Sequence, residues 1–249
     1  MKHAITKIVV LILSILVVVG GLRAGPPTVA DVGDVDSFGH AALYMGVASG
    51  FITMSTDPCP SPTPTPSPPA TANDNQCFQL NPAPASTSFT ADDICRIKLP
   101  KKATRTIIYP VLNFFQNYQL QNTTGGPIAN ARFDYSATLS IESDVLLDPS
   151  VIDPNTGLPA NGKLLFVFSP DRYQDDRTMN DGDRYRNRLT FTRAGNAGIN
   201  KAQLVASGLS QTVVDNLFAS AMTIRMNVTG IERLVTDANI TCNMRLFGD

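Results

Sequence analysis

The sharpest pattern in the chain runs from Arg132 to Glu142, where Phe133, Tyr135, Ala137, Leu139 and Ile141 fall on one face and polar or charged residues on the other. A period of two over eleven residues is that of a half-buried antiparallel strand. Arg184 to Thr192 repeats it, with Tyr185, Leu189 and Phe191 inward and the arginines outward. Met222 to Val228 and Ala238 to Phe247 alternate in the same way and read as a final antiparallel pair, with Gly230 near a turn or bulge. Ala41 to Met54 is apolar, and its Tyr44, Val47, Phe51, Ile52 and Thr53 favour a strand. Ile94 to Leu99 and Lys163 to Ser169 are shorter strand signals, and Thr104 to Gln119 is a longer one that Pro110 breaks in two or pushes to a sheet edge. Gly125-Gly126 and the Pro-, Asn- and Gly-rich stretch Asp148 to Gly162 mark turns. Only residues 199 to 220 depart from a period of two; they suit two short helices, the second capped by Ser210. Eight or so strands without a βαβ rhythm predict an all-β fold, an antiparallel β-sandwich or jelly-roll-like domain.

The N-terminus has a different texture. Lys2 and Lys7 precede Ile8 to Val19, apolar but for Ser14, and a small-residue exit follows at Gly20 to Ala24. This predicts a secretory signal peptide over residues 1–24, too short in its apolar run to span a bilayer as a helix. The mature chain is then extracytoplasmic: secreted, periplasmic or at the cell surface, with no membrane span. Residues 25–57 read as an N-terminal arm and apolar strand, residues 58–76 as a proline-rich loop or linker around Pro60 to Pro69, and residues 77–249 as the main β-domain, with 25–249 forming one domain.

Export changes how charge and cysteine are read. Without residues 1–24 the chain carries 17 Lys and Arg against 21 Asp and Glu, so no overall basic field recruits nucleic acid. Four cysteines in an oxidising compartment favour disulfides over metal. Cys59 and Cys77 flank the proline tract and are expected to pair across it; Cys95 with Cys242 would then clamp an early segment to the last strand, and the alternative pairings stay open.

Candidate chemistry is sparse. His40 is the sole histidine after residue 24, no Gly-x-Ser-x-Gly elbow is present, and histidine-built zinc sites are excluded. Glu142 and Glu232 are the two glutamates, and both read as solvated surface charges rather than a glycosidase pair. Asp31, Asp34 and Asp36 are weak Ca2+ candidates that match no complete EF-hand and suit a turn-rich lead-in, and a second aspartate loop is read over Asp171 to Asp183. Arg184, Arg186 and Arg188 recur every second residue and form a ladder suited to an anionic ligand, a sulfated or phosphorylated glycan or an acidic partner. Pairing with the neighbouring aspartates is the simpler expectation for that ladder.

No cofactor is implied. The reading that follows is a noncatalytic structural or adhesive β-domain, secreted or on the cell surface, for which two roles of residues 41–54 are weighed: self-assembly by lending them as a strand to a neighbour, and, as the simpler expectation, pairing within their own chain. An extracellular glycan- or ion-binding module is the alternative, and a carboxylate-based hydrolase stands third.

Overall fold

The structure, a computed structural model, describes residues 43–60, 71–194 and 198–249. Residues 1–24, Asp31, Asp34, Asp36, His40 and most of the proline tract lie outside the described residues, as do the side chains of 71–74, 167–171 and 194.

The period-two segments become ten strands: β1 (Leu43–Ser55), β2 (Thr71–Gln79), β3 (Ser86–Leu99), β4 (Ile107–Gln121), β5 (Ile128–Glu142), β6 (Lys163–Met179), β7 (Arg184–Ala194), β8 (Ile199–Asn200), β9 (Met222–Arg233) and β10 (Val235–Gly248). Two short helices, α1 (Lys201–Ala206) and α2 (Gln211–Ala219), fill the predicted break, and the Ser210 hydroxyl accepts from the Val213 amide as expected of a cap.

The pairing is nested. Setting aside the short β2 and β8, the first strand pairs with the last (β1 with β10), the second with the seventh (β3 with β9), the third with the sixth (β4 with β7) and the fourth with the fifth (β5 with β6), all antiparallel. Rolled up, this ribbon gives two packed sheets, β1-β10-β4-β7 and β3-β9-β5-β6. The chain is therefore an all-β jelly-roll sandwich.

One pair departs from the antiparallel rule. β2 runs parallel to β1, Ser49–Ser55 against Asn73–Gln79, while its first residues, Thr71–Asn73, ladder with Cys95–Ile97 of β3. It thereby joins the two sheets at their corner.

Several expectations change once the strands are placed. β9 and β10 are not a pair: β9 lies between β3 and β5, β10 lies between β1 and β4, and the chain changes sheets at Leu234, which has positive φ. Pro110 does not break β4. On that flank the neighbour passes from β7, ending opposite Val111, to β8, beginning opposite Ile108, so a residue without an amide hydrogen falls in the seam. β6 absorbs most of the expected aspartate loop, and only Asn180 to Asp183 remains as the turn into β7. β1, weighed as a donated strand, is held on both flanks by β2 and β10 of its own chain, the simpler of the two expectations.

The core lies between the sheets. Phe133, Tyr135, Ala137, Leu139 and Ile141 are all buried, as the alternation predicts, against Ile52, Leu112, Phe114, Tyr118 and Ile240 from the facing sheet. Where β3 bulges at Asp93 it comes close to β1, and there Gly50 is required, since a Cβ would lie 2.1 Å from the Ile94 carbonyl oxygen.

At the opposite margin, β6 and β7 are both edge strands, and side chains latch them together. Asn187 donates from Nδ2 to the hydroxyls of Tyr118 (3.1 Å) and Tyr173 (3.2 Å), and Tyr118 donates to Asp175. The Arg177 Nε lies 2.9 Å from Asp175, and its guanidinium stacks 3.4 Å from the Tyr185 ring centroid. Burial, reinforced by the bond to Asp175, pushes the Tyr118 hydroxyl far above its ordinary range, so it stays a donor. Leu189, expected inward beside these residues, is 39% exposed.

The Cys59–Cys77 disulfide is formed, with a Cα–Cα distance of 5.7 Å. The pairing of Cys95 with Cys242 is not formed: both are buried thiols. Each is fixed in its own sheet, Cys95 opposite Met226 of β9 and Cys242 opposite Gly50 and Phe114. Burial raises the Cys242 thiol well above its usual range, and Cys95 adds to that shift.

Candidate functional site

A strand that buries one face must show the other, and in the sheet β1-β10-β4-β7 that other face forms ordered rows. β4 buries Leu112, Phe114, Gln116, Tyr118 and Leu120, which leaves Asn113, Phe115, Asn117, Gln119 and Gln121 half-exposed. The same phase in β1 turns Ser49, Phe51, Thr53 and Ser55 outward, and in β10 it turns out Asp237, Asn239, Thr241, Asn243 and Arg245. The ladder register aligns them. One row reads Phe51, Thr241, Phe115, Thr190; the next reads Thr53, Asn239, Asn117, Arg188; a third reads Ser55, Asp237, Gln119, Arg186.

Neighbouring groups in these rows hold one another. Ser49 donates to Asn243 at 2.5 Å, Thr192 donates to Asn113 at 2.6 Å, and Gln119 donates to Thr236 at 3.1 Å. Phe51 and Phe115 lie two strands apart in one row, which places their Cα atoms about 9–10 Å from each other. These rows thus set two aromatic rings among side-chain amides and hydroxyls that both donate and accept.

Arg184, Arg186 and Arg188 stand exposed along its margin on the edge strand β7. Among the described residues, no aspartate pairs with them. Arg184 donates to Gln121 (3.3 Å), Arg186 donates to Asn117 (3.2 Å), and the Arg188 guanidinium lies 4.9 Å from the Phe115 ring centroid. Two aspartates of β6 are engaged elsewhere: Asp176 with Arg132 at 2.6 Å and Asp175 with Arg177. Alternation on β6 explains this, since Asp175 points toward the latch and Asp176 toward β5.

The other sheet carries a different polar cluster. Asp93, at φ 56 in the β3 bulge, pairs with Arg225 and with Arg96 (3.0 Å), and the Arg225 Nε lies 2.8 Å from Glu142. Burial raises the Asp93 carboxyl above its usual value, with Arg225 and Arg96 pulling the other way. Beside it lies a cleft of about 570 Å3, with Lys98, Glu142, Asp144, Asn161 and Lys163 among its lining residues.

The two glutamates do not meet. Glu142 is on the outward face, in its ion pair, whereas Glu232 points between the sheets and is 1% exposed, a correction to its reading as a surface charge. Neither Glu232 oxygen makes a hydrogen bond of ordinary geometry. Burial raises its pKa well above the ordinary 4.5; the Asp134 backbone amide opposes that shift and the Asp134 charge adds to it. Among the described residues, no three His, Cys, Asp or Glu side chains converge as metal ligands. No described helix is long and apolar enough to cross a membrane.

No family model matches the chain, and no curated protein matches it. Among solved structures, it is similar to TmCBM61 in complex with β-1,4-galactotriose, at 9% identity over 67% of this chain and 66% of that one, with a TM-score of 0.19. A bacterial lipoprotein from Bacteroides thetaiotaomicron aligns at 10% identity over 90% and 93%, with a TM-score of 0.21. The VP2 subviral particle of infectious bursal disease virus aligns at 11% identity over 77% of this chain and 37% of that one, with a TM-score of 0.18. At such scores these likenesses carry no weight in assigning a function, which rests on the chain's own geometry.

Proposed function

We propose that the chain is a noncatalytic, extracytoplasmic adhesive β-domain that holds an extended glycan on the outward face of the sheet β1-β10-β4-β7. The jelly roll itself does not decide this, because the fold serves both capsid and sugar-binding domains. The observation that carries the reading is the row Phe51, Thr241, Phe115, flanked by rows of amides and hydroxyls. A sheet face needs only polar side chains to be solvated. Two aromatic rings in one row, bordered by groups that donate and accept, are more than solubility demands, and they match a sugar's combination of apolar ring faces and hydroxyl edges. Self-assembly by donating β1 loses its support, because that strand is paired on both flanks at home.

Binding of the full mature chain to an array of neutral and charged polysaccharides tests the proposal. Retention is expected, and Phe51→Ala and Phe115→Ala are each expected to weaken it on the order of tenfold, about 1.4 kcal/mol, with the circular dichroism unchanged. An array with no retained glycan, or binding indifferent to both substitutions, overturns it.

A further inference from the structure

We infer that the glycan held on this face is acidic, with its carboxylate or sulfate groups received by Arg184, Arg186 and Arg188; the inference rests on the glycan reading above and names the class of ligand within it. The argument is a contrast between two sets of arginines in one molecule. On the β3-β9-β5-β6 sheet, Arg96, Arg132, Arg172, Arg177 and Arg225 each meet a carboxylate. On β7, three successive outward arginines meet only neutral partners: two side-chain amides and a phenyl ring. The chain has 21 Asp and Glu, yet among the described strand residues of this face Asp237 stands against four cations, Arg184, Arg186, Arg188 and Arg245. A face with a positive surplus, on a chain of net charge −1, is a local field rather than a general one.

The geometry fits a polymer better than a point ion. Residues two apart on a strand are separated by about 6.8 Å, so the ladder extends about 13 Å along β7. It runs beside the amide rows, with Arg188 adjoining the Phe115 ring. The bonds of Arg184 and Arg186 to Gln121 and Asn117 tie the guanidinium groups to β4, and a guanidinium has five N–H donors, enough to keep that bond and still meet an anion. A sugar lying along the row from Phe51 to Phe115 therefore brings an acidic substituent within reach of Arg188, which adjoins Phe115 at the edge of that row, and the next acidic substituents along the polymer meet Arg186 and Arg184.

The test uses the full mature chain and two matched pairs of probes: polygalacturonate with its fully methyl-esterified form, and dextran sulfate with dextran. The first pair isolates carboxylates and the second sulfates. One variant is Arg184→Gln/Arg186→Gln/Arg188→Gln. The control is Lys98→Gln/Lys101→Gln/Lys163→Gln, which removes the same charge from outside this face. At least one anionic probe is expected to bind more tightly than its neutral partner, with affinity falling as salt rises. The arginine variant is expected to lose roughly tenfold to a hundredfold on that probe, and the lysine control less than about threefold. Equal losses in both variants overturn the inference, as does binding in which neutral and anionic partners are equivalent. If the glycan array retains only neutral polymers, the acidic ligand falls while the glycan reading stands; if it retains nothing, both fall.

Discussion

Glu232 gives the most exposed test of the fold's energetics. Its carboxyl is enclosed between the sheets without a hydrogen bond of ordinary geometry, so the folded chain holds it protonated at pH values where the unfolded chain has released the proton. A group whose folded pKa is raised contributes its full stability below the unfolded value, here 4.5, and loses it as pH rises toward the folded value. Across that window the cost is about 1.4 kcal/mol per pH unit, large against a domain stability of roughly 5–15 kcal/mol. Glu232→Gln removes the titration while keeping the shape. Urea unfolding of wild type and variant at about pH 5 and about pH 7 is expected to show the variant gaining on the wild type by more than about 1.4 kcal/mol between the two. Glu232→Leu, which also removes the unbonded polar atoms, is expected to exceed Glu232→Gln by about 1–3 kcal/mol at both pH values. Parallel curves for wild type and Glu232→Gln would refute a protonated, buried carboxyl.

Three further outcomes follow from other contacts. Asp249 accepts from the Thr106 hydroxyl and from the amides of Arg105 (3.0 Å) and Thr106 (2.9 Å); burial works against its charge, but these bonds outweigh it and hold its pKa well below the ordinary 3.8. Its contribution is present above about 3.8 and fades as pH falls, so Asp249→Asn is expected to cost about 1.5–3 kcal/mol at neutral pH and progressively less in acid, as read from denaturant midpoints; an equal loss at all pH values contradicts this. Tyr118→Phe breaks the latch between β6 and β7 and leaves Asn187 and Asp175 short of a partner, at an expected cost of about 1–3 kcal/mol in urea unfolding; a change below about 0.5 kcal/mol counts against the latch. Opening the Cys59–Cys77 bridge, which spans 18 residues, is expected to lower stability by on the order of 3 kcal/mol, checked by comparing the Cys59→Ser/Cys77→Ser chain with wild type; unchanged melting contradicts it.

What the sequence showed, and what it hid, divides along the reach of the interactions. Alternation is local, so the buried set of β5 and the Ser210 cap could be read from neighbouring residues. The nesting of β1 with β10 could not, because no local signal pairs Leu43 with Gly248. Glu232 was legible in principle. The inward phase of β9 runs through Met222, Ile224, Met226 and Val228, and two further steps reach Glu232; its charge argued the other way, and packing prevailed over the charge, which is given up by protonation. The charges of β6 disguised a strand in the same manner, because Asp175 is turned in to Tyr118 and Asp176 is spent on Arg132. As for the candidate face, the outward phase of β4 could be read alone, but its rows exist only across strands far apart in the chain.

The nested pairing also bears on the entropy of closing the fold. The contact of greatest sequence separation, β1 on β10, would be costly to close from an open chain, since loop-closure entropy must be met before any packing rewards it. In a rolled ribbon it is never closed that way. Of the four nested pairs the central β5-β6 spans the least chain, and each pair outside it meets ends drawn together by the pair inside. Once β3 lies on β9, only the 30 residues between Ser55 and Ser86 and the single residue between Arg233 and Val235 separate β1 from β10. Closed in that nested order, the two most distant strands meet across 31 intervening residues rather than across the whole stretch of chain that separates Leu43 from Gly248.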